Sequence, residues 1–191
     1  MMSKADFDEA VSRLHRLGWA QGDIEWAEGI CEPKTPDDFA LETIFVICNS
    51  GMKFEIARKI FDKVKVALLA GESAFSVFRH PGKAGAIDRI WKDREYLHRG
   101  FLLAADRLEF LAALPWIGQI TKYHLAKNFG VDVAKPDVHL DRLAQLHGTT
   151  AQLLCEHLAR LSNFRVATVD TLIWRACATG VIDSRTGRLA A

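Results

Sequence analysis

An all-α fold is what the sequence predicts, on three observations. Apolar residues recur at helical spacing in segment after segment, start and stop signals stand where those segments begin and end, and no stretch alternates convincingly with the period of two that a half-buried strand needs. Nothing repeats, and no tract is of low complexity. About eight to ten helices are expected from this pattern.

Taken in order, Phe7, Ala10, Val11, Leu14 and Leu17 form the first apolar stripe. Thr35-Pro36-Asp37-Asp38 is a strong helix start, because a threonine cap, a proline at the first helical position and two acids against the helix dipole all agree. The apolar helix it launches, Phe39 to Cys48, is expected at the centre of a core, and Asn49-Ser50-Gly51 breaks or bends it. From Phe54 to Leu69, the residues Phe54, Ile56, Ala57, Ile60, Phe61, Val64 and Leu68 recur at helical spacing, with Lys53, Arg58, Lys59, Lys63 and Lys65 around them. Gly82 to Leu97 and Ala104 to Ala113 read as two further helices, the second running straight into a tight turn. Val138 to Leu146, Thr150 to Leu161 and Val166 to Ala178 complete the set, the last closed by Gly180 as a C-cap.

A chain of 191 residues that is 49% hydrophobic and 26% charged suffices for one sizeable core or two small lobes around a cleft, and excludes disorder. The most apolar neighbourhood, Phe101 to Gly118, is interrupted by Asp106, Arg107 and Glu109, short of the roughly 20 apolar residues a spanning helix needs. No membrane partner is expected. The opening residues, Met-Met-Ser-Lys-Ala-Asp-Phe-Asp-Glu, carry neither the apolar core nor the cleavage site of a secretory leader, so a cytoplasmic protein is expected. Cys31, Cys48, Cys155 and Cys177 are scattered without a CxxC, which predicts reduced thiols, no disulfide and no iron–sulfur cluster. His124, His139, His147 and His157 match no zinc-binding spacing, so no metal is expected there. Trp19, Trp26, Trp91 and Trp174 read as core. The net charge of +1 hides an asymmetry: residues 1–42 hold ten Asp/Glu against four Lys/Arg, net −6, and the remainder carries +7. That surplus suits a polyanion bound on one face, and equally a solvated helix surface.

Leu114-Pro115-Trp116-Ile117-Gly118 joins two expected helices, one ending near Ala113 and one starting near Gln119. A glycine at that second start lets backbone amides approach an anion with the positive end of the helix dipole behind them. Downstream, Lys135-Pro136-Asp137-Val138-His139 presents a lone carboxylate after a proline. Asp137 there serves either as a cap of the helix from Val138 or as a reacting carboxylate.

In these two segments the chain resembles the helix-hairpin-helix (HhH-GPD) DNA glycosylase superfamily. The family pattern is Leu-Pro-Gly-(Val/Ile)-Gly, a helix, then a short loop ending in an aspartate; Leu114, Pro115, Ile117 and Gly118 match the hairpin, and Pro136-Asp137-Val138-His139 matches the catalytic segment. More loosely, Glu42 to Ala57 looks like the helix, polar kink and helix that carry the family's intercalating residue, and Val169 to Trp174 stands where the family has a late core helix. Roughly Phe39 to Gly180 is covered, with residues 106–142 carrying most of the weight.

The resemblance implies one all-α glycosylase domain of two helical lobes around a cleft, a monomer with double-stranded DNA as partner, and no cofactor beyond a monovalent cation that the family's hairpin can bind through backbone carbonyls. The target nucleotide is flipped, its base held between the lobes and its C1′ placed beside Asp137, which stabilises the sugar cation or activates water. Leu114, Pro115, Trp116, Ile117, Gly118, Gln119, Thr121 and Lys122 are expected to contact DNA, and Asn49 and Ser50 either fill the gap left by the flipped nucleotide or only bend their helix.

Two positions depart from the family. Lyase-competent members carry a lysine two residues after the hairpin's last glycine, where this chain has Ile120, which cannot be a nucleophile. Lys122 lies about 200° further round that helix and is expected to face DNA or solvent. A monofunctional glycosylase is therefore expected, the alternatives being a glycosylase and lyase using Lys122, a non-catalytic nucleic-acid-binding protein, and a relative that modifies a base in place. Trp116 replaces the hairpin's first glycine and is expected as a hydrophobic plug beneath it.

Overall fold

Two helices, each buried over most of its surface, organise the protein, whose residues 2–190 are described by a computed structural model. Among these residues there are eleven α-helices: α1 (Lys4–Arg16), α2 (Ala20–Gly29), α3 (Pro36–Asn49), α4 (Phe54–Leu69), α5 (Pro81–Lys92), α6 (Arg94–Leu103), α7 (Arg107–Ala112), α8 (Thr121–Asn128), α9 (Val138–Leu146), α10 (Ala151–Ser162) and α11 (Val166–Ala178). One short antiparallel pair, β1 (Ile182–Asp183) and β2 (Arg188–Leu189), follows, with Ile182 opposite Leu189. No helix among the described residues is long and apolar enough to cross a membrane.

The chain divides into two compact units, Glu32–Phe129 and the pair of segments Met1–Cys31 and Gly130–Ala191. The middle unit is built on α3. Its start is a complete capping box: the Thr35 hydroxyl accepts from the Asp38 amide at 3.1 Å, and the Asp38 carboxylate accepts from the Thr35 amide at 3.1 Å. Seven of its residues, from Phe39 to Cys48, are buried, and α4, α5, α6 and α8 pack around it. Phe39, Phe101 and Phe129 form its aromatic centre, with ring centroids 5.0–5.8 Å apart.

The expected helix Gly82 to Leu97 is two helices, broken at Asp93, whose φ of −94° and ψ of 10° end α5. No glycine or proline marks the break. Arg94 braces it instead: its guanidinium lies 4.4 Å from the Trp91 ring centroid and donates to the Trp91 carbonyl at 2.8 Å and to the Asp37 carboxylate.

The discontinuous unit is built on α11, eight of whose residues are buried, packed against α1, α2, α9, α10 and β1. Arg165, just before α11, donates to the carbonyls of Ala27 at 3.0 Å, Ile30 at 3.2 Å and Gly130 at 2.7 Å, and so pins this unit's backbone where the chain leaves it and where it returns. Acidic residues of the N-terminal segment are used in the same way. Glu28 accepts from the Thr168 hydroxyl at 2.6 Å, and Asp23 takes a two-pronged bond from Arg175 at 2.8 and 3.0 Å.

Core tryptophans are a correction. Trp19, Trp26 and Trp174 are 46%, 48% and 37% exposed. Trp19 and Trp174 hold the Arg175 guanidinium at 4.3 and 5.0 Å from their ring centroids, a polar partner that a core position could not give them.

Candidate functional site

The Leu114–Gly118 segment is a closed turn. The Ile117 amide donates to the Leu114 carbonyl at 3.1 Å, Pro115 stands at the second position and Trp116 at the third with φ of +65°. Those are the marks of a type II turn, whose third position wants glycine because φ is positive there. A tryptophan adopts that conformation at a cost of about 1–2 kcal/mol. Leu114 and Ile117 are buried and anchor the turn, while Trp116, Gly118, Gln119 and Ile120 face outward. The connection from α7 to α8 runs from 113 to 120, longer than the sequence suggests, because α8 begins only at Thr121 after a turn closed by the Lys122 amide on the Gly118 carbonyl at 2.9 Å.

Gly118 differs from the glycines that turn the chain. Its φ is not positive, and nothing lies within 4 Å of where a Cβ would stand. The chain itself makes no demand for glycine here. The start of α8 carries no side-chain cap.

Trp116 is not a plug beneath the turn. Its indole is 43% exposed and lies across the start of α5, where a Cβ on Gly82 would meet Cζ3 at 2.3 Å, and it sits edge-on to the His80 ring with centroids 5.3 Å apart. Glycine at 82 is what makes room for it.

Lys122 faces neither solvent nor an open groove. It is buried, and its ammonium donates to the Glu109 carboxylate of α7 at 2.6 Å, which holds its proton more tightly than in an ordinary lysine. The reason is packing: α7 and α8 lie against each other, so the face of α8 that carries Lys122 points at α7.

Asn49 and Ser50 are half-buried at the end of α3, and Gly51, with φ of +68°, reverses the chain before α4. The helix ends here outright. Its last carbonyls are held by Lys83 of α5, which is 3% exposed and donates to the Ser50 carbonyl at 2.5 Å and the Cys48 carbonyl at 3.2 Å. Burial lowers the lysine's proton affinity and pushes the neighbouring Cys48 thiol up to about 11. Sequence reading missed Lys83; the signal available was its setting among Gly82, Ala84, Gly85 and Ala86, small residues that mark close helix packing.

Asp137 lies in the other unit and caps α9. Its Oδ1 accepts from the His139 amide at 2.9 Å and the Leu140 amide at 3.1 Å, so both cap bonds fall on one oxygen and leave Oδ2 outside the cap. Its own amide donates across Pro136 to the Lys135 carbonyl at 2.8 Å. The next turn is anchored from the C-terminal segment, where the Ser184 hydroxyl lies 3.0 Å from His139 Nδ1. Cys177 is close enough for the Asp137 charge to reinforce the burial that pushes its thiol to about 12. Among the described residues, no group of three or more His, Cys, Asp and Glu side chains is disposed to hold a metal ion.

Comparison with protein-family models, with curated proteins and with solved structures returned no match for this chain.

Proposed function

We propose that this protein is a monofunctional DNA glycosylase that takes a damaged, mispaired or modified nucleotide out of duplex DNA and hydrolyses its N-glycosidic bond. The observation that carries the reading is the turn before α8. It keeps the glycine-type backbone at position 116 even though tryptophan stands there, and it keeps a glycine at 118 that nothing within the chain requires. A helix start preceded by an exposed glycine and carrying no side-chain cap is suited to a phosphate, and the resemblance of the Leu114–Gly118 and Pro136–His139 segments to the helix-hairpin-helix glycosylases supplies the class of phosphate.

The chemistry asked of Asp137 is modest. As the C1′–N bond breaks, the base leaves with the electron pair and positive charge develops on the sugar; the carboxylate stabilises that charge, then takes a proton from the water whose oxygen bonds to C1′. Capping through Oδ1 fixes the group's direction and leaves Oδ2 for this work. The absence of a lyase step in the proposal is supported by Ile120 at the family's lysine position and by the engagement of Lys122 with Glu109. A Schiff-base lysine must shed its proton, and Lys122 is held in the opposite direction.

A second reading has its own observation. Asp137 does everything an N-cap needs, so a DNA-binding protein without excision activity also accounts for it. Excision from a panel of lesion-bearing duplexes by the wild type and Asp137→Asn separates the two: the glycosylase releases at least one base and the variant does not. Salt-sensitive duplex binding with no release across a broad panel favours the binding protein.

A further inference from the structure

We propose that the first turn of α5, His80 to Lys83, couples the Asn49–Gly51 turn to the Leu114–Gly118 turn, with Lys83 as the positioning residue between them. The argument begins with a cost. A buried ammonium is unfavourable unless hydrogen bonds replace its lost water, and an apolar side chain would fill the same space without that cost. Lys83 spends its charge on the carbonyls of Cys48 and Ser50, at the negative end of the α3 dipole, and thereby sets the direction in which the chain leaves that helix.

One residue earlier, Gly82 receives the Trp116 indole with no room for a Cβ. Two residues before that, His80 caps α5 through Nδ1, which accepts from the Lys83 amide at 3.3 Å, and its ring meets the same indole. Pro81 stiffens the backbone between them. Within these four consecutive residues Lys83 thus holds the first turn while Gly82 and His80 meet the second, and neither turn shifts without disturbing the segment.

The functional meaning rests on the glycosylase reading; the coupling does not. On that reading, Asn49 or Ser50 enters the duplex where the nucleotide is flipped while the 114–118 turn holds backbone phosphate. A fixed spacing between the two favours DNA whose stack is already opened.

Two measurements on the full chain test this. In amide hydrogen exchange without DNA, Lys83→Met and Gly82→Ala each speed exchange about tenfold, the scale of one lost charge-assisted hydrogen bond, in both 49–53 and 114–119. In Gly82→Ala/Trp116→Gly, where the clash is gone, residues 49–53 return to the rate seen in Trp116→Gly alone. Faster exchange confined to the turn nearest the substitution, or no rescue in the double variant, overturns the coupling; Gly82→Ala decides the matter if Lys83→Met does not fold. In the second measurement, the wild type's preference for a duplex bearing a tetrahydrofuran abasic analogue over the intact duplex falls about tenfold in Lys83→Met. An unchanged preference overturns the positioning role. A wild type with no such preference sinks the glycosylase reading instead and leaves the exchange result to decide the coupling.

Discussion

The indole of Trp116 rests on Gly82 so closely that a Cβ there would stand 2.3 Å from it, and the same tryptophan holds φ of +65° in a turn position that glycine usually fills. Two predictions follow from these two strains. Gly82→Ala lowers stability by about 1–3 kcal/mol, the usual cost of overpacking. Trp116→Gly and Trp116→Ala lose the same indole, but only glycine suits the backbone, so the glycine variant is more stable than the alanine variant by about 1 kcal/mol. Chemical denaturation of the three variants checks both, and equal stability of the two Trp116 variants refutes the strain argument.

Capping and catalysis by Asp137 come apart on substitution. Asparagine caps as well as aspartate, so Asp137→Asn leaves thermal stability nearly unchanged, while Asp137→Ala loses both Oδ1 bonds and about 1 kcal/mol. Melting temperatures of the two variants measure the structural share alone. If Asp137→Asn unfolds as easily as Asp137→Ala, the cap geometry described above is wrong.

Much of the helical framework was legible because it is written in local chemistry. The bounds of α4, α9 and α11 agree with the apolar spacing, and the Thr35 capping box and the positive φ of Gly180 are where their residues place them. What local pattern could not show is what depends on partners distant in sequence. Helix α2 has little amphipathic contrast and is held by Asp23 and Glu28 to residues more than 130 positions away. The α5–α6 break depends on Arg94 reaching Asp37, and the burial of Lys122 on Glu109. Of the site, the turn and Asp137 could be picked out by motif, but Lys83 could not, since a lysine's burial is decided by its neighbours in space.

The ion pair of Lys122 with Glu109 gives a pH signature. A lysine whose folded proton affinity is raised contributes stability that is fully present below its unfolded value, about 10.4, and lost as pH rises through the folded one. The wild type's urea midpoint therefore falls more steeply than that of Glu109→Gln as pH rises above about 10.4. Parallel curves contradict this. On the same grounds, borohydride in the presence of abasic DNA traps no adduct through Lys122.

The thiols differ in reactivity by burial. Cys31 is exposed, whereas burial pushes Cys48 to about 11 and Cys177 to about 12, and Cys155 is buried. Iodoacetamide at about pH 8 should modify Cys31 first in the native protein and Cys48 and Cys155 only on unfolding, because the thiolate is the nucleophile. Peptide mass spectrometry reads this site by site, and early labelling of Cys48 refutes its packing beside Lys83.

The most direct measurement is single-turnover base release from lesion-bearing duplexes by the wild type and Asp137→Asn, with duplex affinity measured alongside. The account predicts release by the wild type, a rate at least about 100-fold lower in the variant, the scale of a lost general base, and duplex affinity unchanged within about twofold. Release at the same rate by both proteins, or by neither, contradicts it.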